Sequence, residues 1–307
     1  MEFVDRQELE QAFATYMPLP AMLEPRLRAA LLHVLSQAGS LVRPQMVFEL
    51  STSYGLPRHS AKELAIGLEY FHTASLIFDD LPGMDDATER RGAECVHIKF
   101  DEATAMLTAL AIINRAYALT WRAIGSCPAD RQSRAADYIE QHLGVGGLLN
   151  GQSLDLNYFS LPHDLATTER VAIGKTVSLI QLTLVLPALL GGASAREIQL
   201  LDRIARFWGL SYQIIDDLKD VLQTSNESGK TVSRDLHLDR PNIALTIGIP
   251  ATVKRLERLI RLGDGALTRL ISVRPSTGFL QTLRASLQEE TLRVVQSACE
   301  GALRGAA

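Results

Sequence analysis

Cysteine is scarce in this chain of 307 residues: the three present, Cys95, Cys127 and Cys299, are odd in number and far apart. That spacing supports neither a disulfide framework nor a zinc site, and it points to a reducing, cytoplasmic setting. Charge of one sign is not in excess either. With 31 basic and 35 acidic residues the formal net charge is -4. No basic surplus advertises nucleic acid, and no basic block marks a helix for a membrane surface. The N-terminal stretch MEFVDRQELEQAF has acids where a secretory signal needs a basic start and an apolar run. The most apolar run, residues 179–193, is interrupted by Gln181, Thr183 and Pro187. It falls short of the roughly 20 residues that span a bilayer, so it reads as a buried core helix and no transmembrane segment is expected. Hairpin signals, long linkers, low-complexity tracts and repeats are also missing.

What remains is helix. At 47% hydrophobic and 21% charged the chain has the composition of a globular protein with a sizeable core. Helical periodicity predicts helices over 5–17, 21–37, 44–54, 60–79, 101–124, 131–155, 168–190, 195–221, 240–261 and 277–303. Breakers such as Pro18, Pro20, Gly39, Pro82, Gly83, Pro128, Pro162, Gly263, Gly265 and Pro275 fall between them. Ser60 stands three residues before Glu63, a capping-box spacing, and Thr167 or Thr168 is placed to cap the helix through Val171. The expectation is an all-α fold in a single domain over 1–307, a bundle of ten or more helices.

The most informative segment runs from His72 to Asp86. Asp79, Asp80, Asp85 and Asp86 place four carboxylates within eight residues, after a largely apolar helix. Pro82 and Gly83 should bend the chain past Asp80 and let Asp85 and Asp86 fold back on the first pair. Carboxylates brought together in this way repel unless cations sit between them. Hard oxygen ligands suit Mg²⁺, which keeps some water and completes its shell with substrate phosphates. His72 precedes Asp79 by seven residues, hence on the same helix face. Arg90 and Arg91 follow, two guanidiniums suited to phosphate oxygens. Alone, the segment also reads as a solvated acidic turn.

A second cluster repeats the idea. Asp216 and Asp220 are four apart and share a helix face. Gln213 lies one turn earlier, and Asp217 sits beside the stripe. Lys230 in Gly229-Lys230-Thr231 and Lys175 in Gly174-Lys175-Thr176 supply cations, with Asp235 and Arg240 beyond the first of these. Neither belongs to a P-loop frame. Gln152 and Asp155 are three apart on another helix. No Ser/His/Asp or Cys/His constellation calls for a protein nucleophile.

Together the two clusters resemble the aspartate-rich motifs of the trans-isoprenyl diphosphate synthases, the polyprenyl synthetase family. The first resembles DDxx(xx)D with the two-residue insertion typical of bacterial farnesyl and geranylgeranyl types, the second DDxxD. Arg43-Pro44, His72, Arg90-Arg91-Gly92, Gln152 with Asp155, Lys175-Thr176, Tyr212-Gln213 and Gly229-Lys230 follow in order. The resemblance implies helices around a central elongation cavity. It implies three Mg²⁺ ions, two on Asp79, Asp80 and Asp85 and one on Asp216 and Asp220, with Asp217 beside them. Arg90, Lys175 and Lys230 would contact an allylic prenyl diphosphate. Arg43, His72 and Arg91 would face isopentenyl diphosphate, with Gln152 and Arg240 as further substrate contacts and Thr176 and Gln213 near the reacting carbons. A homodimer is implied as well.

One stretch departs from the pattern. Where the family reads G-G-K-R-x-R-P, this chain has Ala38-Gly39-Ser40-Leu41-Val42-Arg43-Pro44. Losing an ammonium at a phosphate site costs about 1.5–3 kcal/mol, which weakens the isopentenyl half and leaves the allylic half intact. Elongation is therefore one reading. Ionisation of an allylic diphosphate for cyclisation or transfer to another acceptor is a second, and a non-catalytic partner subunit is a third. Product length in this family is set in part by the residues four and five before the first Asp, here Ser75 and Ala74, with Phe78 able to narrow the cavity. Small Ala74 favours a C20 product over C15.

Overall fold

Apolar side chains recur at helical spacing along most of the chain, and among the described residues helix is almost the only regular structure. The computed structural model describes residues 4–222, 240–285, 287–289 and 291–293. They fall in two compact units, Met1–Ala136 with Leu186–Ala193, and Asp137–Val185 with Ser194–Ala307.

The first unit holds α1 (Arg6–Thr15), α2 (Pro25–Leu35), α3 (Val42–Ser53), α4 (Arg58–Asp79), α5 (Val96–Lys99) and α6 (Glu102–Gly125). Its centre is α4, which packs on α3 and α6 and buries Leu64, Ile66, Leu68 and Phe71. Each such large aliphatic or aromatic side chain stabilises the fold by about 1.5–3 kcal/mol when fully buried. α1 is pinned to this centre at two places. The Val4 N–H donates to the buried Glu49 carboxylate at 2.7 Å, and the Tyr70 hydroxyl donates to the Phe13 carbonyl at 2.6 Å. On α6, Met106, Leu110, Tyr117 and Trp121 form an outward row of exposed apolar side chains.

The chain passes to the second unit within α7 (Ala129–Leu143). Next come α8 (Leu148–Leu156), α9 (Leu165–Ala172), a π turn over Ile173–Val177, α10 (Ser178–Leu190), whose residues from Leu186 on belong to the first unit, α11 (Ala195–Leu222), α12 (Ile243–Ile247) and α13 (Ile249–Val273). Val177, Leu210, Ile214, Leu218, Ile243 and Leu256 form the core of this unit. The helical stretches Glu102–Gly125 and Leu165–Leu190 are long and apolar enough to cross a membrane, and in the second 67% of the apolar window is buried inside the protein. Residues 179–190 of that run thus belong to a longer, mostly buried helical stretch.

Several local expectations need correction. The helix expected over 131–155 is two helices, α7 and α8, parted where Gly144, Gly146 and Gly147 interrupt the helical pattern. Helix 240–261 is also two, broken at Gly248 with φ 81, and α13 then runs through Gly263 and Gly265. The two glycines cost about 1 kcal/mol each relative to Ala. The buried face of Leu256, Leu259, Leu267 and Leu270 outweighs that cost. Ser60 is no cap: α4 begins at Arg58 after Pro57, and Ser60 instead bonds Ser126. The α9 cap is Asp164, which accepts from the Thr167 N–H at 2.8 Å. A short hairpin went unseen. Glu89–Arg90 (β1) pairs antiparallel with Ala93–Glu94 (β2), turning through Arg91 and Gly92 at φ 55 and 77. Of the helix expected over 277–303, residues 280–285 are helical, and 294–303, with Cys299, lie outside the described residues.

Candidate active site

The C-terminus of α4 carries the negative end of the helix dipole, and there the chain places Asp79 and Asp80. The following turn folds back as expected from Pro82 and Gly83. The Asp85 N–H donates to the Asp79 carbonyl at 2.9 Å, and the Ala87 N–H to the Asp80 carbonyl at 3.1 Å. Asp86 takes a left-handed φ of 49 to close the turn. Asp80 is buried and accepts from Arg90 Nε at 2.9 Å and Nη2 at 2.5 Å. Burial works against the Arg90 charge, but the Asp80 carboxylate and the neighbouring Asp79 raise its pKa. Small residues lie earlier on α4: Ala74 is fully buried and the Ser75 hydroxyl donates to the His72 carbonyl at 2.9 Å, while Phe78, directly before Asp79, is half-buried.

About two to three helical turns before the acids, cations gather around His72 and Glu69. Arg91 donates to the Gln37 carbonyl at 2.9 Å and pairs with the Glu69 carboxylate at 3.5 Å. Burial, and then the charges of Arg43, Arg91 and Arg90, hold the His72 pKa well below its ordinary value. Burial raises the Glu69 pKa, even with Arg43 and Arg91 pulling it down. A neutral imidazole beside Arg43, whose buried Nε lacks a partner among the described residues, is a ready seat for an anion. Glu69 was not singled out from the sequence, because an acid within an apolar helix gives no spacing signal of its own.

The second acidic cluster sits on α11. Asp216 and Asp220 are half-buried. Asp217 is 1% exposed and turns its carboxylate inward, accepting from the Gln213 amide at 2.8 Å and the Ile243 N–H at 2.7 Å. The Thr176 hydroxyl donates to the Gln213 carbonyl oxygen at 2.6 Å. Thr176 and Lys175 both ride on the π turn, a distortion common at functional sites. It lies against α8, because a Cβ on Gly151 would fall 2.2 Å from the Lys175 backbone nitrogen. Lys175 Nζ donates to Asp155 at 2.7 Å, and Arg240 donates to the Asp155 carbonyl at 3.1 Å. Asp155, buried, thus collects both cations, a role its common i, i+3 spacing from the half-buried Gln152 did not disclose. Lys230 and Asp235 lie outside the described residues.

Among the described residues no three His, Cys, Asp or Glu side chains are gathered as a ready-made metal site. Mg²⁺ does not need one, since it binds through one or two carboxylates, water and substrate phosphates. Asp79 and Asp85, whose backbones are joined by a hydrogen bond at the end of α4, supply carboxylates of the kind that this mode uses.

A family model described as polyprenyl synthetase matches residues 24–266. Geranylgeranyl pyrophosphate synthase 11, chloroplastic, of Arabidopsis thaliana is 33% identical over 261 residues, 83% of this chain and 72% of that protein. The putative geranylgeranyl pyrophosphate synthase 8, chloroplastic, of the same plant is 33% identical over 242 residues, 78% of this chain and 67% of that one. Among solved structures, an FPP/GFPP synthase from Zymomonas mobilis is similar with a TM-score of 0.75 at 24% identity, covering 91% of this chain and 94% of that one. A geranyltransferase from Helicobacter pylori, complexed with magnesium and isoprenyl diphosphate, is similar with a TM-score of 0.77 at 24% identity, covering 96% and 95%. At that identity the two structures speak for the fold.

Proposed function

This chain belongs to the polyprenyl synthetase family and has the isoprenoid synthase fold, and from that premise we propose that it condenses an allylic prenyl diphosphate with isopentenyl diphosphate to a C20 prenyl diphosphate. The observation that carries the reading is the return of Asp85 onto Asp79 at the end of α4, with Arg90 bound at Asp80. Asp79, Asp80, Asp85, Asp216 and Asp220 are the proposed ligands of Mg²⁺, three ions in all, and Asp217 orients Gln213 through their hydrogen bond. When bound, magnesium neutralises charge that grows on the departing diphosphate.

The residues do the rest. Arg90, Lys175 and Lys230 hold the allylic diphosphate and stabilise its charge as the C–O bond breaks. Arg43, His72 and Arg91 hold the isopentenyl diphosphate, with Gln152 and Arg240 as supporting contacts. Thr176 and Gln213 flank the reacting carbons. Apolar walls exclude water from the allylic cation. The isopentenyl double bond closes the new C–C bond, and the proton it sheds passes to the released diphosphate. Ala74 leaves room for the chain to lengthen, with Ser75 and Phe78 beside it.

A homodimer is proposed through the exposed apolar row on α6. A reducing, cytoplasmic setting is proposed from the scarcity and spacing of the three cysteines. The second reading, ionisation for cyclisation or transfer, is favoured by a single feature: Leu41, at the family's first Arg position, is buried at φ 55 and presents no charge. Incubation with Mg²⁺ and C5, C10 or C15 allylic diphosphates, with products resolved by mass, separates the two. Elongation predicts consumption of the allylic substrate only when isopentenyl diphosphate is present, and shorter products from Ala74→Tyr. Consumption without isopentenyl diphosphate supports the second reading.

A further inference from the structure

Ser40 and Leu41 remove two cations from the loop before α3, and the loop itself offers no replacement. Leu41 is 3% exposed with its side chain in the core, and Ser40 is exposed and neutral. A cation does reach the loop, but from elsewhere in the sequence. Arg6 on α1 donates from Nη2 to the Gly39 carbonyl at 3.0 Å and from Nε to Glu10 at 2.8 Å. We propose that Arg6 binds the diphosphate of the homoallylic substrate, replacing from α1 the charge that this loop lacks. The inference rests on the function proposed above.

The geometry supports more than a surface ion pair. Arg6, Gln37, Gly39 and Arg91, with Glu10, line one cavity of about 410 Å³, within the size range of small-ligand sites. Gly39 serves both guanidiniums. Its carbonyl receives Arg6, and its φ of +69 with no Cβ lets Arg91 lie over it, since a Cβ there would meet Arg91 Cζ at 2.7 Å. Glu10, half-buried, pairs with Arg6, Glu69 pairs with Arg91, and an anion in the cavity would meet a guanidinium from each. Among the described residues Arg6 engages two of its five guanidinium N–H donors, and the planar fork suits phosphate oxygens. The backbone that carries Arg6 is held, because Val4 is tied to Glu49 at 2.7 Å and Phe13 to Tyr70 at 2.6 Å on either side of it. A preorganised cation loses less entropy on binding than a free surface arginine.

Calorimetric titration of the full chain with isopentenyl diphosphate, and separately with inorganic pyrophosphate, tests this, alongside steady-state kinetics. Arg6→Ala is expected to weaken isopentenyl diphosphate and raise its KM by about ten-fold, the scale of one lost charge-assisted hydrogen bond. The KM for the allylic diphosphate and the melting temperature should stay unchanged, and Arg6→Lys should recover part of the loss. Unchanged affinity in Arg6→Ala, or equal losses for both substrates, overturns the role of Arg6. If the wild type makes no elongated product yet Arg6→Ala loses pyrophosphate affinity, the elongation reading falls and the anion role of Arg6 stands. Normal elongation with an unaffected Arg6→Ala has the opposite meaning.

Discussion

His72 is neutral because burial and the charges of Arg43, Arg91 and Arg90 disfavour its proton. The pH consequence has a definite sign. In the unfolded chain this imidazole takes up a proton near pH 6.5, while in the folded chain it resists until the pH is lower. The unfolded state therefore binds more protons in that interval, and stability falls as pH drops below about 6.5. The melting temperature of the wild type should decline between about pH 7.5 and pH 5.5 more steeply than that of His72→Gln. Parallel curves would show that the imidazole is not held neutral. At this scale the sequence disclosed the charged residues of the motifs and not their partners. Glu69, Asp155 and Arg6 act through contacts to Arg91, Lys175 and Gly39 that are distant in the chain. The capping assignments at Ser60 and Thr167 failed because Pro57 and Asp164, a few residues earlier, already start those helices.

The π turn Ile173–Val177 depends on the close approach of α8. A side chain on Gly151 would meet backbone atoms, the Lys175 nitrogen at 2.2 Å and the Gly174 carbonyl carbon at 2.3 Å, and backbone cannot step aside as a flexible side chain can. Gly151→Ala should destabilise the protein by about 1–3 kcal/mol in denaturant unfolding and lower kcat, because Lys175 and Thr176 ride on the displaced turn. A change below about 0.5 kcal/mol, the level of a neutral surface substitution, would contradict this account of the helix contact. Periodicity made the long helices legible, notably α4, α6 and α11, since each has an apolar face repeating at 3.6 residues. It could not find the π turn, a single turn too short to shift the helical period, or a hairpin whose strands are two residues each.

For the molecule as a whole, the all-α class and the family were legible because two acidic motifs, an arginine pair and two lysines keep their order over most of the chain. The division into two compact units was not, since no composition shift or linker marks it. The proposed function gives Asp79 and Asp216 each a part in magnesium-dependent binding of the allylic diphosphate. Calorimetric binding of a non-reactive thio analogue of an allylic diphosphate, with and without Mg²⁺, tests that assignment in the wild type, Asp79→Asn and Asp216→Asn. The account predicts binding only with Mg²⁺, weakened at least about ten-fold by either substitution alone, as expected when a ligand's charge loses a direct partner. Binding of equal strength without Mg²⁺, or in either variant, would contradict it.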